Sequence, residues 1–150
     1  MNIAVHTFGR LRADRDEPEV AEFANAVPAV FALAARSEGF VWRADASVSA
    51  EAQADRDAYS TDADVAVTLS VWQDVERLRH YVYDTLHGRF YRRKSEWFLP
   101  PGQPMMVLWN VEEDVHPTFL QARERLDHLR RHGPSAFAFD WETAADFEKR

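Results

Sequence analysis

The chain has 150 residues, 46% of them apolar and 13% aromatic, with a formal net charge of −7; this is enough apolar material for one core and too much for a disordered polymer. It has no cysteine, which excludes disulfides, thiolate zinc sites and cysteine nucleophiles, and its negative balance argues against general nucleic-acid binding, which needs a basic footprint. The uncharged apolar runs 27–35 and 105–111 fall far short of the roughly 20 residues of a membrane span, and the first residues lack the basic start and apolar stretch of an export signal, so a cytoplasmic domain without membrane contact is expected.

In chain order, residues 3–11 form a β-branched and aromatic run that suits a strand. Residues 12–17 are too charged to continue it. Pro18 fits a first helical turn, and Val20, Phe23, Ala24, Val27, Val30, Phe31 and Ala34 follow at helical spacing; Pro28, inside that pattern, is expected to kink or divide the helix. Gly39 ends the signal and residues 40–43 read as a short strand. Residues 44–64 are rich in Ala, Ser and Asp and read as a mobile acidic connection. Residues 65–72 alternate with period two, predicting a strand with two different faces. Asp74 is a helix N-cap ahead of the stripe Val75, Leu78, Val82 and Leu86. Residues 105–111 form a fourth strand. Thr118 and Gln121 make a capping box for a helix carrying Phe119, Ala122, Leu126 and Leu129, which stops at Gly133 and Pro134. Residues 136–141 suit a short extended segment, and 142–150 read as a tail.

Residues 1–150 therefore read as a single α+β domain of order β-α-β-β-α-β with an added C-terminal helix. That is the ferredoxin-like order: an antiparallel four-stranded sheet with helices on one face. The other face would be open and apolar, and a homodimer pairing sheet to sheet would cover it.

Reactive side chains concentrate in residues 70–98. In one unbroken helix, Val75, Leu78, Val82, Leu86 and Phe90 would face the core while His80, Asp84, His87, Tyr91 and Lys94 would form a solvated face. A break at Thr85 or Gly88 resets the phase and turns His87, Tyr91 and Lys94 inward beside Trp97. An imidazole, a phenol and an ammonium beside tryptophan would make a pocket for a polarised or anionic small molecule. The alternative is packing, with Lys94 reaching back to solvent. Arg89, Arg92, Arg93 and Lys94 are locally basic; they either hold an anion or pair with Glu96 and the acidic connection.

His128 and His132 have the spacing of two metal ligands, but no carboxylate completes a zinc motif and Arg130 and Arg131 would repel a cation, so no metal is expected. His116 precedes Pro117 at a helix entrance and is a candidate for a pocket rim. His6 on the first strand reads as a packed, hydrogen-bonded histidine. There is no glycine-rich phosphate loop, and no Ser-His-Asp set follows from spacing.

Ser70, Val71 and Trp72 leading into a helix that carries His87, then Arg92, Arg93, Lys94, Ser95, Glu96, Trp97 and Phe98, then His116, Pro117 and Thr118, and residues 124–139, resemble the family catalogued as domain of unknown function 3291. The resemblance spans nearly the whole chain, and the connection 44–64 is its least similar part. It implies the dimeric α+β barrel superfamily, in which ferredoxin-like subunits pair through their sheets. Relatives there include cofactor-free monooxygenases and cyclases of aromatic polyketides, haem-binding and haem-degrading proteins, and small isomerases or dehydratases; the fold does not choose among them. Trp72, His87, Arg92, Trp97 and His116 carry over as family-pattern positions.

The reading that follows is a cofactor-independent oxygenase, cyclase or isomerase in secondary metabolism. His87 would be its acid or base and Tyr91 its proton donor or orienter. Trp72, Trp97 and Trp109 would wall the pocket, Arg92 or Lys94 would hold a substrate carboxylate or enolate, and His116 would sit at the rim. The alternatives are a haem or small-ligand carrier using His87 or His80 as axial ligand, and a non-catalytic dimeric module.

Overall fold

Alternation of side chains makes two central strands, β1 (Asn2–Arg10) and β3 (Val65–Trp72), which pair antiparallel with Val5 opposite Ser70 and Thr7 opposite Thr68. β4 (Met106–Val111) joins the free edge of β1, and the short β2 (Phe40–Arg43) joins β3, giving the order β2-β3-β1-β4 with every pair antiparallel. This is the ferredoxin-like sheet expected from the element order. The computed structural model describes residues 1–55 and 64–149.

α1 (Ala21–Arg36) follows a 3₁₀ turn at Pro18–Val20, α3 (Val75–Asp84) and α4 (Leu86–Arg92) follow β3, and α5 (Phe119–His132) follows β4. Pro28 does not divide α1; it sits on the exposed side of one continuous helix. The predicted caps form: Asp74 accepts from the Arg77 amide, and Thr118 and Gln121 bond reciprocally. Among the described residues no helix is long and apolar enough to cross a membrane.

One face of the sheet presents Ile3, Val5, Trp72 and Leu108 to Ala34 of α1 and to Val75, Leu78 and Tyr81 of α3. The opposite face presents Ala4, Phe8, Val67, Leu69, Val107 and Trp109, and α5 lies across it through Phe119, Ala122, Leu126 and Leu129. This corrects the expectation of an open second face. The apolar stripe of α5 needs a partner as much as the sheet does, and each covers the other.

The acidic connection is corrected in its first half, where Ala46–Ala54 form helix α2; residues 56–63 lie outside the described residues. The reason is the length of β2, whose pairing with β3 extends over Ser70 to Trp72 only. Beyond it the Ala44 amide donates to the Leu69 carbonyl (2.9 Å), and Gln53 of α2 supplies a side-chain oxygen to the Val67 amide (3.1 Å). Small residues at Ala44 and Ala52 let α2 approach closely enough for this, and both are buried. The tail is likewise not free: α6 (Ala144–Phe147) packs Ala144 and Phe147 with Phe139, and Asn110 donates to the Phe147 carbonyl (2.9 Å) and accepts from the Lys149 amide (2.8 Å). The extended segment at 136–141 contributes one bridge, Phe139 to Leu108.

Candidate functional site

The phase break falls at Thr85. Its hydroxyl donates to the Tyr81 carbonyl (2.6 Å) at the end of α3 and accepts from the His87 amide (3.3 Å) at the start of α4. Competition of this kind from a threonine side chain ends one helix and starts the next. The two helices then meet so closely that a Cβ on the buried Gly88 would collide with the Tyr83 carbonyl, which explains a glycine there. Leu86, expected on the core stripe, is corrected by the break: it is exposed.

His87 turns inward. Its Nδ1–H donates to the Val82 carbonyl (2.9 Å), and its ring lies 4.9 Å from that of Tyr81 and 6.1 Å from that of Tyr91. The bond fixes the tautomer and leaves Nε2 with a lone pair. Burial pushes the imidazole below its ordinary pKa, so the neutral, proton-accepting form persists to lower pH. Tyr81 in turn stacks on the buried Trp72 at 5.0 Å, its hydroxyl donates to the Val30 carbonyl of α1 (3.1 Å), and burial raises its phenol above the ordinary range, against the pull of the nearby Arg43 charge. Tyr91 packs edge-on against Tyr83 at 5.3 Å, and Lys94 donates to its hydroxyl (3.1 Å).

The floor beside this stack differs from the rest of the sheet. Thr7, Ala66, Thr68 and Ser70 belong to central strands and point to the same side as Trp72, yet they are only half-buried. Central-strand side chains that reach solvent mean that the helix layer leaves a gap over them. Three hydroxyls line it, with Thr7 and Thr68 2.6 Å apart and Ser70 accepting from the Trp72 indole (3.1 Å). Arg43 enters from β2 on that side, its guanidinium 4.6 Å over the Phe31 ring. At the far end, Phe98 lies over Gly9, whose missing side chain makes the room.

Three of the sequence candidates thus come together, Trp72, His87 and Tyr91, while Lys94 is exposed and reaches the Tyr91 hydroxyl from solvent, the alternative to its turning inward. The others do not. Trp97 is buried in a separate cluster with Leu11 and Val20, because the 3₁₀ turn Lys94–Glu96 carries it past the helix face it was expected to share with Tyr91. Trp109 points to the opposite side of the sheet, packed under Arg125. Arg92 is exposed and donates to the Tyr83 carbonyl (3.2 Å). Arg93 pairs with Glu22 (2.5 Å) and Glu96 (2.7 Å), the ion-pair alternative for the basic cluster, although its second partner comes from α1 and not from the acidic connection. His80 is exposed beside Asp84 (3.1 Å). His116 is exposed and stacks on Trp42 at 4.6 Å, with 12° between the planes. Sequence reasoning missed Arg43, Thr68 and Tyr81. Arg43 sits in so short a strand that its side could not be read, and Tyr81 was hidden by the assumption that only the Val75 stripe faces the core.

On the opposite side, a half-open cleft of ≈ 340 Å³ lies between α2 and the start of α5, floored by Trp42, Leu69 and Phe119. His6, on that side of the sheet, is fully buried, its ring nitrogen bonding to the Thr68 carbonyl (2.8 Å), and burial lowers its pKa to about 4. His128 and His132 have ring centroids 4.8 Å apart, but no group of three or more metal-ligating side chains occurs among the described residues.

Among curated proteins none matches the sequence. Among solved structures the chain is similar to a conserved protein from Methanosarcina mazei Go1, with 14% identity over 75% of this chain and 94% of that one and a TM-score of 0.49. It is also similar to SnoaB, a cofactor-independent oxygenase from Streptomyces nogalater, with 13% identity over 76% and 96% and a TM-score of 0.48. The model of the family described as domain of unknown function (DUF3291) matches residues 2–150, and the chain belongs to that family.

Proposed function

We propose that the chain is a cofactor-independent small-molecule enzyme of the oxygenase, cyclase or isomerase type, acting on an apolar or aromatic, anionic substrate held between the sheet and the layer of α1, α3 and α4. The observation that carries this reading is the half-exposed hydroxyl strip Thr7, Thr68 and Ser70 on central strands, joined through the Ser70–Trp72 hydrogen bond to the aromatic series Trp72, Tyr81 and His87. A packed core would have filled that strip with apolar side chains.

The chemistry follows from the residues. His87, neutral and anchored through Nδ1, accepts a proton at Nε2 from an acidic C–H or O–H of the substrate. The enolate or phenolate formed gains from the Arg43 charge, which takes over the role expected of Arg92 or Lys94. Tyr91, its hydroxyl held by Lys94, orients the substrate or returns the proton at a second position. Proton removal of this kind is the common first step of isomerisation, cyclisation and oxygenation of a conjugated substrate, and Trp72 and Tyr81 provide the aromatic wall.

The test is turnover of a panel of conjugated enols and polycyclic phenols, followed by absorbance and oxygen uptake. His87→Ala is expected to lower kcat/KM by about 10²- to 10⁴-fold while the protein still unfolds in one cooperative transition, and Arg43→Gln to raise KM for anionic members most. The acid limb of the wild-type profile should fall below pH 6.5, the ordinary imidazole value. Turnover that survives His87→Ala removes His87 from the chemistry.

A further inference from the structure

The cleft on the α5 side plays no part in that reading, and its charges are arranged across it. One wall is α2 with the residues that flank it, contributing Asp45, Glu51 and Asp55; the facing wall is α5, contributing Arg123; Trp42, Leu69 and Phe119 lie beneath. Asp45 occupies the N-cap position of α2, where an aspartate ordinarily accepts from a helix amide, yet it makes no side-chain cap bond. Among the described residues no ion pair joins Asp45, Glu51 or Arg123 to any partner, although the three line one cleft. The mouth is apolar as well, with Val48 and Leu120 left exposed. The carboxylates are exposed at the rim and the guanidinium is half-buried opposite them, and charges of both signs above an apolar floor suit a ligand that carries both on an apolar body.

We propose that this cleft is a second ligand site, which binds a small apolar zwitterion, an amino acid with an aromatic or branched side chain being the simplest member of the class. The ammonium group meets the acidic wall at Asp45 or Glu51, the carboxylate meets Arg123, and the side chain lies on Trp42, Leu69 and Phe119. The volume is at the lower end of the range of small-molecule pockets and suits a ligand of that size. The stacked His116 covers part of Trp42 and is exposed, so it yields or closes over the ligand without disturbing the core.

The experiment is a nuclear magnetic resonance titration of the full chain with L-phenylalanine, phenethylamine and 3-phenylpropionate, each to about 10 mM, which reaches millimolar affinities. Phenylalanine is expected to give saturable shifts at the Trp42 indole and along α2, and to bind tightest of the three. The double variant Asp45→Asn with Glu51→Gln should weaken phenylalanine and phenethylamine about tenfold or more, whereas Arg123→Gln should weaken phenylalanine and leave phenethylamine unchanged. Asp127→Asn, on the outer side of α5 where it pairs with Arg131, serves as the variant that leaves affinity unaltered. Absence of saturable shifts with phenylalanine, tighter binding of the phenylpropionate anion, or affinities insensitive to the charge variants would each overturn the proposal. So would a sedimentation mass of two chains with Val48 and Leu120 protected, which would assign the cleft to a second copy.

Discussion

The two faces of the sheet are built from the same strands and do different things. On the α5 side, Ala4, His6, Phe8, Val65, Val67, Leu69, Val71, Val107 and Trp109 are all buried, and the closest approach to solvent is a cleft at the rim. On the α1 and α3 side, the centre of the same two strands carries Thr7, Ala66, Thr68 and Ser70, half-buried and mostly polar. The difference teaches where stability and chemistry reside. A single α5 with a continuous apolar stripe seals one face, whereas the other is covered by α1 and by two helices that part at Thr85, and leaves the strand centre half-buried.

The largest effect expected on this contrast comes from the sealed face. Trp109→Ala should cost about 3–5 kcal/mol in chemical denaturation, because the side chain is buried and the surrounding sheet cannot collapse into the space. A loss of less than about 1 kcal/mol, the scale of an exposed site, would mean that α5 does not seal this face in solution.

Acid should separate the faces next. His6 has a folded pKa of about 4 against 6.5 unfolded, so the unfolded chain takes up a proton first. Stability is therefore full above pH 6.5 and falls between pH 6.5 and about 4, by on the order of 3 kcal/mol. His87, lowered by burial too, acts with the same sign from the other face. The pH dependence of unfolding should flatten more in His6→Gln than in His87→Gln, and the reverse order would place the better-sealed histidine on the wrong face.

A smaller effect tests the cover itself. Thr118→Ala removes the capping box of α5 and should cost about 1 kcal/mol, with faster hydrogen exchange in α5 while α3 keeps its protection. The smallest concerns Arg93, whose hydrogen bonds hold the carboxyls of Glu22 and Glu96 below their ordinary pKa. Arg93→Gln should return both to the usual range in a carbon-detected titration with little change in melting, as expected of exposed pairs.

Much of this was legible before any coordinates. Strict alternation over 65–72 determined which side chains share a face, and the cap residues Asp74 and Thr118 marked two helix starts. The position of α5 was not legible, since an amphipathic helix at the end of a chain satisfies its stripe equally on its own sheet or on a neighbour's. For the site, His87 and Tyr91 could be placed together only by choosing the helix break, which a threonine hydroxyl decides through two hydrogen bonds. Arg43 and Trp97 show the limit in opposite directions. A four-residue strand with a register shift gives no alternation to read, and one 3₁₀ turn was enough to send Trp97 to another cluster.

The Gln53 side chain that reaches the Val67 amide also bears on how the protein avoids sticking to itself. Residues 65–69, Val-Ala-Val-Thr-Leu, are apolar, uncharged and free of proline, the composition of a segment that recruits other strands. They lie on the side of β3 that β2 is too short to reach. By occupying one of the amides there, α2 acts as a guard on that edge as well as a wall of the cleft. Detaching it would free the Val67 amide between the Val65 carbonyl held by Arg15 and the Leu69 carbonyl held by Ala44, and conditions that loosen α2 are then those in which the protein should first form ordered aggregates.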